Sequence, residues 1–400
     1  MTDPETHNTL PRLWNGNYCR AMAGNFMLFF SFYLLTPLLP IYLNAQFKAD
    51  KDMIGLVLSG YVVAALAVRP FSGFIVDLFD RRRVLMLCFF FFFICFTGYI
   101  GAGTILMFAI VRTLHGLPFG ATTVANSTVA IDSLHPLRRS EGIGYYGLSN
   151  NLAMAIAPSA GIWVYSATDN FSLLFWLALG VAFCGLVCAW SIRLPHRPRR
   201  TEKVHLSLDH LFLTRAWPLA INSLLFGLPW GIMSNYVAIY GKEELSITDG
   251  TGIFFALVSG GLFASRLYGA KGLRKGRMAE NAIEGAMLSC AGFLLFALVR
   301  QPWAFYLSAP LIGLGNGRMF PGMLNMFISL ARPDQRGTAN STILTSWDLG
   351  MGIGILTGGF LLEYSGYGAA FIFTAASQTA GTLLLTGYSR RFFVEHRLTQ

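Results

Sequence analysis

Long apolar runs alternate with short polar turns along the whole chain, and this alternation constrains the fold more than any other feature. An α-helix needs about 20 mostly apolar residues to cross the hydrocarbon of a membrane. Only 12% of the residues are charged, against about 25% in an ordinary soluble domain. The sequence therefore predicts an all-α polytopic membrane protein, embedded in the lipid bilayer, with twelve transmembrane helices. The predicted segments are 19–43, 53–77, 83–101, 104–131, 142–166, 171–192, 214–240, 250–270, 278–299, 304–331, 337–362 and 367–388.

Lysine and arginine residues collect in alternate turns. The N-terminus, the turns after segments 2, 4, 6, 8 and 10, and the C-terminus hold 22 of the 30, whereas the opposite turns hold four. Because basic residues favour the cytoplasmic side of a membrane, we expect both termini in the cytoplasm of a multi-pass protein of the cytoplasmic (inner) membrane. The net charge of +10 is then a topology signal and not a nucleic-acid-binding surface. The polar first 18 residues lack the apolar core of a signal peptide, so the first segment is predicted to remain in the membrane.

The longest polar stretch lies between segments 6 and 7 and divides the chain into two halves of six helices. Polar residues recur between the halves at an offset of 197, in the pairs Asn25/Asn222, Arg69/Arg266 and Arg139/Arg336. This repetition indicates a 6+6 pseudo-repeat. The predicted organisation is a cytoplasmic N-terminus (1–18), an N-terminal six-helix bundle (19–193), a cytoplasmic linker (194–213), a C-terminal six-helix bundle (214–388) and a cytoplasmic C-terminus (389–400).

The turn between segments 2 and 3 reads Gly73-x-x-x-Asp77-x-x-x-Arg81-Arg82. It resembles the signature loop of the major facilitator superfamily, whose pattern is Gly-x-x-x-Asp-Arg/Lys-x-Gly-Arg-Arg. Leu78 and Asp80 depart from that pattern, while the helix number, the linker and the duplication extend the resemblance over the whole chain. The resemblance implies the major facilitator fold and transport by alternating access, with the substrate near the midplane between the two bundles.

The same turn is predicted to contain a conformational latch. Gly73 allows segment 2 to approach a neighbouring helix closely, and Asp77 is suited to a helix N-terminus or to an arginine partner. Asp132, at the cytoplasmic end of segment 4, offers a second acid to the loop arginines. A latch of Gly73, Asp77, Arg81, Arg82 and Asp132 would hold the cytoplasmic side closed and break when that side opens. The alternative is a plain topology anchor.

Segment 4 carries Arg112-Thr-Leu-His115-Gly116-Leu-Pro118-Phe-Gly120, which resembles the family's Arg-x-x-Gln-Gly-x-Gly pattern with His115 at the Gln position. A charge inside a membrane helix costs about 2.5–3.5 kcal/mol, so Arg112 is expected to face a polar cavity. The alternative is that its long side chain reaches the interface. His115 is either a proton carrier or a hydrogen-bonded structural residue. Pro158 in segment 5 belongs to a partial match to the family's antiporter signature, and it fits a proline kink equally well.

Two charged residues lie near the middle of segments in the second half, Arg318 in segment 10 and Asp348 in segment 11. We expect them to pair across adjacent helices, with Asp348 able to take a proton and release Arg318. A permanent structural pair is the alternative. The asparagines among the cavity candidates either bind a substrate or bridge neighbouring helices. The predicted cavity residues are Asn25, Arg112, His115, Asn126, Asn222, Trp230, Asn316 and Arg318, and the predicted proton-coupling residues are Asp348, Arg112 and His115.

No sequence pattern points to chemistry on a substrate. The chain has no phosphate-binding Gly-Lys-Ser/Thr loop and no paired Cys/His metal spacing. We therefore expect a transporter and not an enzyme, without cofactor or metal. The resemblance to efflux branches favours proton-coupled export of a small organic molecule (drug-, sugar- or metabolite-like) by a monomer. The alternatives are a symporter or exchanger for an anionic metabolite that uses Arg112 and Arg318, and a non-transporting sensor or lipid-handling protein on the same fold.

Overall fold

A computed structural model describes residues 12–49, 51–194, 211–247 and 251–398. Most of the predicted N-terminal segment, the linker residues 195–210 and the last two residues lie outside the described ranges. The boundaries of the predicted regions therefore stay predictions. The described helices are α1 (Gly16–Leu35), α2 (Leu39–Phe47), α3 (Lys51–Leu78), α4 (Arg81–Gly101), α5 (Ile105–Asp132), α6 (Pro136–Thr168), α7 (Phe171–Ser191), α8 (Trp217–Glu243), α9 (Thr251–Arg274), α10 (Met278–Leu298), α11 (Pro302–Leu330), α12 (Arg336–Leu384) and α13 (Arg390–His396).

The apolar runs form helices because hydrocarbon offers no hydrogen-bond partner to the backbone, and a helix satisfies its N–H and C=O groups internally. Within the described ranges, seven helices are long and apolar enough to cross a membrane, or eight if the bent pair of α1 and α2 is one span. The helices α6 and α11 are not among them, and they contact each other across the two halves of the protein. A helix that faces protein on several sides tolerates more polar residues than one that faces lipid.

The described helices match the twelve predicted segments. The first segment comprises α1 and α2, which meet at a bend of 43°. The last two segments run together as α12, which is broken at Gly366 (φ 77°, ψ 176°). This backbone conformation favours glycine because a Cβ would be strained there. The chain then continues through a π-helical turn, Leu385–Ser389, into α13.

Each half packs around its own central helices, and the halves meet mainly along two pairs of helices. In the first half α5 contacts α1, α3 and α4, and α7 covers α1 and α4. In the second half α8 packs along α12, and α11 lies between α9 and α10. Contacts between the halves run along α3 with α12 and along α6 with α9. Charged residues on α3 and α12 are therefore placed where the two halves touch.

The sequence duplication has a direct structural counterpart in helix packing. A Cβ added at Gly116 of α5 would collide with the backbone oxygen of Tyr61 on α3. A Cβ added at Gly313 of α11 would collide with the backbone oxygen of Val258 on α9. These four residues are related in pairs by the offset of 197. Both halves thus use the same backbone-to-backbone contact, which only a glycine permits at this separation.

We expect Gly116→Val to destabilise the first half, because the added side chain must displace the α3 backbone. Overpacking of this kind costs about 1–3 kcal/mol. The matched control is Gly180→Val on α7, where an added Cβ meets no atom within 4 Å. The measurement is the apparent unfolding temperature of the purified proteins in detergent. Equal unfolding temperatures for the two variants would contradict the close contact between α5 and α3.

Candidate functional site

Asp77 links the two halves at one end of the protein, which we call the basic end and define by Arg81, Asp132, Arg193 and Arg336. It lies in the last turn of α3, and its carboxylate accepts hydrogen bonds from the first turn of α12. The backbone N–H of Gly337 donates at 2.8 Å, and the N–H and hydroxyl of Thr338 donate at 2.7 and 2.9 Å. A helix N-terminus has free N–H groups and a partial positive charge, so it favours such an anion.

A chain of ion pairs runs from Asp77 across the interface between the halves. Arg81 donates to Asp77 at 2.7 Å and also forms an ion pair with Asp132. Asp132 in turn accepts from Arg336 of the second half at 2.9 Å. Arg81 is only 3% exposed and Arg336 only 8%. Breaking one member of such a buried network leaves an uncompensated charge, which costs about 3–5 kcal/mol.

Gly73 is the residue that allows this approach of α3 to α12. A Cβ at this position would collide with the hydroxyl of Ser341 and lie 2.8 Å from the carbonyl oxygen of Gly337. A Cβ at Gly337 would likewise lie 2.7 Å from the carbonyl oxygen of Gly73. The two glycines therefore face each other across the interface, one turn from Asp77.

Arg82 does not join the predicted latch, and this part of the prediction is wrong. Successive residues of a helix are rotated by about 100°, so Arg82 lies on a different face of α4 from Arg81. It donates instead to the backbone oxygen of Trp190 at the end of α7, at 2.8 Å. Asp80, which departs from the family pattern, accepts from the backbone N–H of Arg83 at 2.9 Å and so caps the N-terminus of α4.

A second ion pair joins the halves deeper in the protein. Arg69 on α3 forms an ion pair with Asp348 on α12 and also donates to the backbone oxygen of Leu344 at 3.3 Å. The Arg69 side chain is 8% exposed, whereas that of Asp348 is 24% exposed. Arg69 lies two helical turns before Asp77 on the same helix, so α3 contacts α12 at two depths.

The expected pair of Arg318 with Asp348 is absent, and that prediction is wrong. Arg318 forms an ion pair with Glu284 on α10, and its Nε donates to Asn281 at 3.3 Å. The reason is the packing, because α11 lies against α10 whereas the Asp348 part of α12 lies against α3. Sequence reasoning missed Arg69 as the partner of Asp348. The sequence did contain a clue to this pair, because Arg69 lies inside an apolar segment, where an arginine needs an anionic or polar neighbour.

Arg112 and His115 lie together inside the first half. The Arg112 guanidinium lies 4.1 Å from the ring centroid of Tyr61, which is a cation–π contact. It also donates to the Tyr99 hydroxyl at 3.4 Å, and that hydroxyl lies 2.8 Å from Nδ1 of His115. Both Arg112 and His115 are at most 5% exposed. The Arg112 side chain is thus held among aromatic rings and does not extend to the membrane surface.

Three predicted cavity asparagines bridge helices of their own half, which was the stated alternative. Asn25 donates to Ser149 at 2.9 Å and accepts from Tyr146, whose hydroxyl also accepts from Asn126. Asn222 donates to the backbone oxygen of Gly381 at 2.8 Å. All three side chains are buried, so their hydrogen bonds stabilise helix contacts.

The two remaining cavity candidates lie in the second half. Asn316 on α11 is buried, and its amide nitrogen has no hydrogen-bond partner among the described residues. Trp230 on α8 is partly buried and packs against the apolar core of the second half. Among the described residues no group of three or more His, Cys, Asp or Glu side chains converges on a metal-sized site.

Sequence comparison finds similarity over almost the whole chain. The family model described as Major Facilitator Superfamily matches residues 21–296 and 282–391. The maltose permease of Geobacillus stearothermophilus is 26% identical over 384 residues, which cover 92% of this chain and 93% of the permease. The uncharacterized MFS-type transporter YhhS of Escherichia coli K12 is 21% identical over 383 residues, 93% of this chain and 92% of YhhS. The multidrug resistance protein MdtH of Yersinia enterocolitica is 31% identical over 170 residues, only 42% of this chain and 38% of MdtH.

Two solved structures share the fold. The human organic anion transporter MFSD10 superposes with a TM-score of 0.82 at 18% identity, covering 94% of this chain and 100% of MFSD10. The transporter FucP in the outward conformation superposes with a TM-score of 0.77 at 12% identity, covering 94% of this chain and 99% of FucP. The twelve-helix architecture predicted from the sequence is thereby confirmed.

Proposed function

The chain belongs to the major facilitator superfamily, and on that premise we propose that it exports a small organic molecule in exchange for protons by alternating access. Members of this family are membrane transporters and not enzymes. The relatives named above include a maltose permease and a multidrug resistance protein, both of which act on small organic molecules. These relatives are bacterial, and we propose a monomer in the cytoplasmic membrane with both termini in the cytoplasm.

The observation that carries the proposal is the Arg69–Asp348 ion pair between the two halves. A carboxylate in an ion pair that joins two moving bodies can act as a switch, because a proton neutralises it and removes the attraction to the arginine. The partial exposure of Asp348 leaves it open to a proton. Asp77 at the basic end and Asp348 deeper in the protein both connect the two halves. We expect this arrangement in a state that opens toward the other end.

For this ion pair we propose an exchange cycle, in which the proton and the substrate are bound in opposite steps. A proton bound to Asp348 from the outer side would release Arg69 and allow the basic end to open. Loss of that proton to the cytoplasm would restore the ion pair and close the basic end around a newly bound substrate. In this cycle the proton and the substrate occupy the protein in opposite steps, as export by antiport requires. Cotransport would need both to be bound during the same transition.

A second candidate function is transport of an anionic metabolite, and Arg112 is the observation that favours it. Its guanidinium lies at 4.1 Å from the Tyr61 ring centroid and has no carboxylate in ion-pair distance among the described residues. A buried cation without a counter-charge attracts an anion. Arg318 supports this alternative less, because Glu284 already neutralises it.

A ligand-dependent thermal-shift screen of the purified protein, run across pH, tests the substrate class. The set should contain sugars, drug-like cations and small carboxylates. Antiport predicts that the selected ligand accumulates in everted membrane vesicles when their interior is acidified, and that collapse of the pH gradient abolishes the accumulation. The anionic alternative predicts stabilisation by carboxylates that Arg112→Gln removes. Flux unaffected by the pH gradient would contradict proton coupling.

Protease cleavage of a C-terminal tag in the same vesicles tests the proposed orientation.

A further inference from the structure

An arginine-lined recess opens at the basic end of the first half, where α1, α4 and α7 come together. Its volume is about 320 Å³, and a neighbouring open recess of about 630 Å³ shares Arg20 and Arg193 with it. We call the first of these the arginine recess. Its lining residues are Arg20, Arg82, Val187, Trp190, Ser191 and Arg193.

Backbone and amide hydrogen bonds hold the three arginines in place. Asn17 on α1 donates to the carbonyl oxygen of Arg193 at 2.8 Å and accepts from its backbone N–H at 3.0 Å. Arg82 at the start of α4 donates to the carbonyl oxygen of Trp190 at 2.8 Å. Arg20 donates to the same Asn17 at 3.4 Å. The recess is therefore built from three helices that are fastened to one another at this end.

The charge of the recess is not balanced within the described protein. Among the described residues, no carboxylate lies in ion-pair distance of Arg20, Arg82 or Arg193. Arg81, the neighbour of Arg82, pairs with two carboxylates instead. The Nε atom of Arg82 is buried and has no hydrogen-bond partner within the described ranges. Three guanidinium groups that share a recess repel one another, so an anion bound between them would be stabilised.

The surface next to the recess is apolar and faces outward. Val187 and Trp190 are 43% and 68% exposed on α7, a helix that qualifies as a membrane span. Tryptophan favours the level of the lipid headgroups. The recess is thus lined by arginines and by exposed apolar side chains together. A free anion would use only the arginines, whereas a phospholipid would also cover Val187 and Trp190.

We propose that the arginine recess binds the headgroup of an anionic phospholipid from the leaflet that the basic end faces. The phosphate is held by the guanidinium groups of Arg20, Arg82 and Arg193, and one acyl chain lies along Val187 and Trp190. Basic pockets between membrane helices recognise anionic headgroups through the same chemistry. The site is separate from the Asp77 and Asp348 contacts, so the proposal does not depend on the substrate or on the coupling ion.

The test is lipid binding to the full-length protein in detergent, followed by native mass spectrometry and thermal shift. The added compounds are phosphatidylglycerol, phosphatidylcholine and inorganic phosphate. We expect phosphatidylglycerol to bind and to raise the unfolding temperature, and phosphatidylcholine and inorganic phosphate to do neither. The double variant Arg20→Gln/Arg82→Gln should bind phosphatidylglycerol about 30-fold more weakly, from the loss of two arginine contacts near the membrane surface.

The matched control is Arg83→Gln/Arg397→Gln, which removes the same charge from exposed positions at the same end. It should retain the wild-type affinity for phosphatidylglycerol. Arg193→Gln serves as a second variant, because the hydrogen bonds of this residue come from its backbone and its side chain can change without loss of the fold. Equal losses in test and control variants, or an equal shift with inorganic phosphate, would overturn the proposal. Unchanged phosphatidylglycerol binding by both test variants would also overturn it.

Discussion

Asp348→Asn should abolish proton-driven transport and leave substrate counterflow exchange intact. Asparagine has nearly the same shape as aspartate but cannot take up and release a proton, so the Arg69 contact would no longer respond to the pH gradient. Exchange of labelled for unlabelled substrate needs no net proton movement and should continue. The measurement is uptake into proteoliposomes, once with an imposed pH gradient and once with unlabelled substrate preloaded and no gradient.

The matched control for this variant is Asp169→Asn, which makes the same change at the C-cap of α6. Asp169 has φ 48°, and asparagine is well suited to this left-handed conformation. The control should transport within about twofold of the wild type, as surface substitutions usually do. If Asp348→Asn keeps its response to the pH gradient, or if it loses exchange as well, Asp348 has no specific role in coupling.

Asp77→Asn should slow transport about 10- to 100-fold, from the loss of charge-assisted hydrogen bonds to α12 and Arg81. Substrate affinity should change little, because Asp77 lies at the basic end and not at the midplane. The initial transport rate and the substrate-dependent thermal shift measure these two properties separately. An unchanged rate would leave Asp77 with no role beyond topology.

Loss of the Asp77 contact should also shift the protein toward states that are open at the basic end. Ser341 is buried against Gly73, so Ser341→Cys in a background without the six native cysteines reports on this opening. A maleimide should label this cysteine faster when Asp77→Asn is present. Asp80→Asn is the matched control, because it removes one charge from the same turn while Asp80 caps α4. Equal labelling rates in the two variants would contradict a latch at this position.

The order and approximate bounds of the helices were predictable from the sequence, whereas the partner of a charged residue often was not. The apolar run lengths predicted the helices, and the resemblance of the turn directed attention to Asp77, Arg81 and Asp132, which the structure brings together. The sequence placed Arg318 and Asp348 near the middle of their segments and predicted that they pair. Their pairing was wrong, because the rotation of a helix about its axis and its neighbours depend on packing between segments far apart in the chain.

The same limit explains Arg82 and the asparagines. A run of three arginines signals a turn, but its residues point in three directions, and only Arg81 faces the other half. A buried asparagine satisfies its amide equally well with a substrate or with a neighbouring helix, and sequence does not distinguish these partners. The sequence identified Arg69 only as a charge inside an apolar segment. Its partner follows from the packing of α3 against α12.

The paired glycine contacts of Gly116 with Tyr61 and of Gly313 with Val258 have a mechanical consequence. Backbones in direct contact cannot slide past each other without steric collision, so we expect the helices of each contact to move together as a rigid unit. Strain produced by a ligand or a proton is then not absorbed by small local shifts. We expect it to act on the surfaces between the halves, where α3 meets α12 and α6 meets α9. A substitution that loosens one of these glycine contacts is therefore expected to reduce transport, even if every charged residue between the two halves is intact.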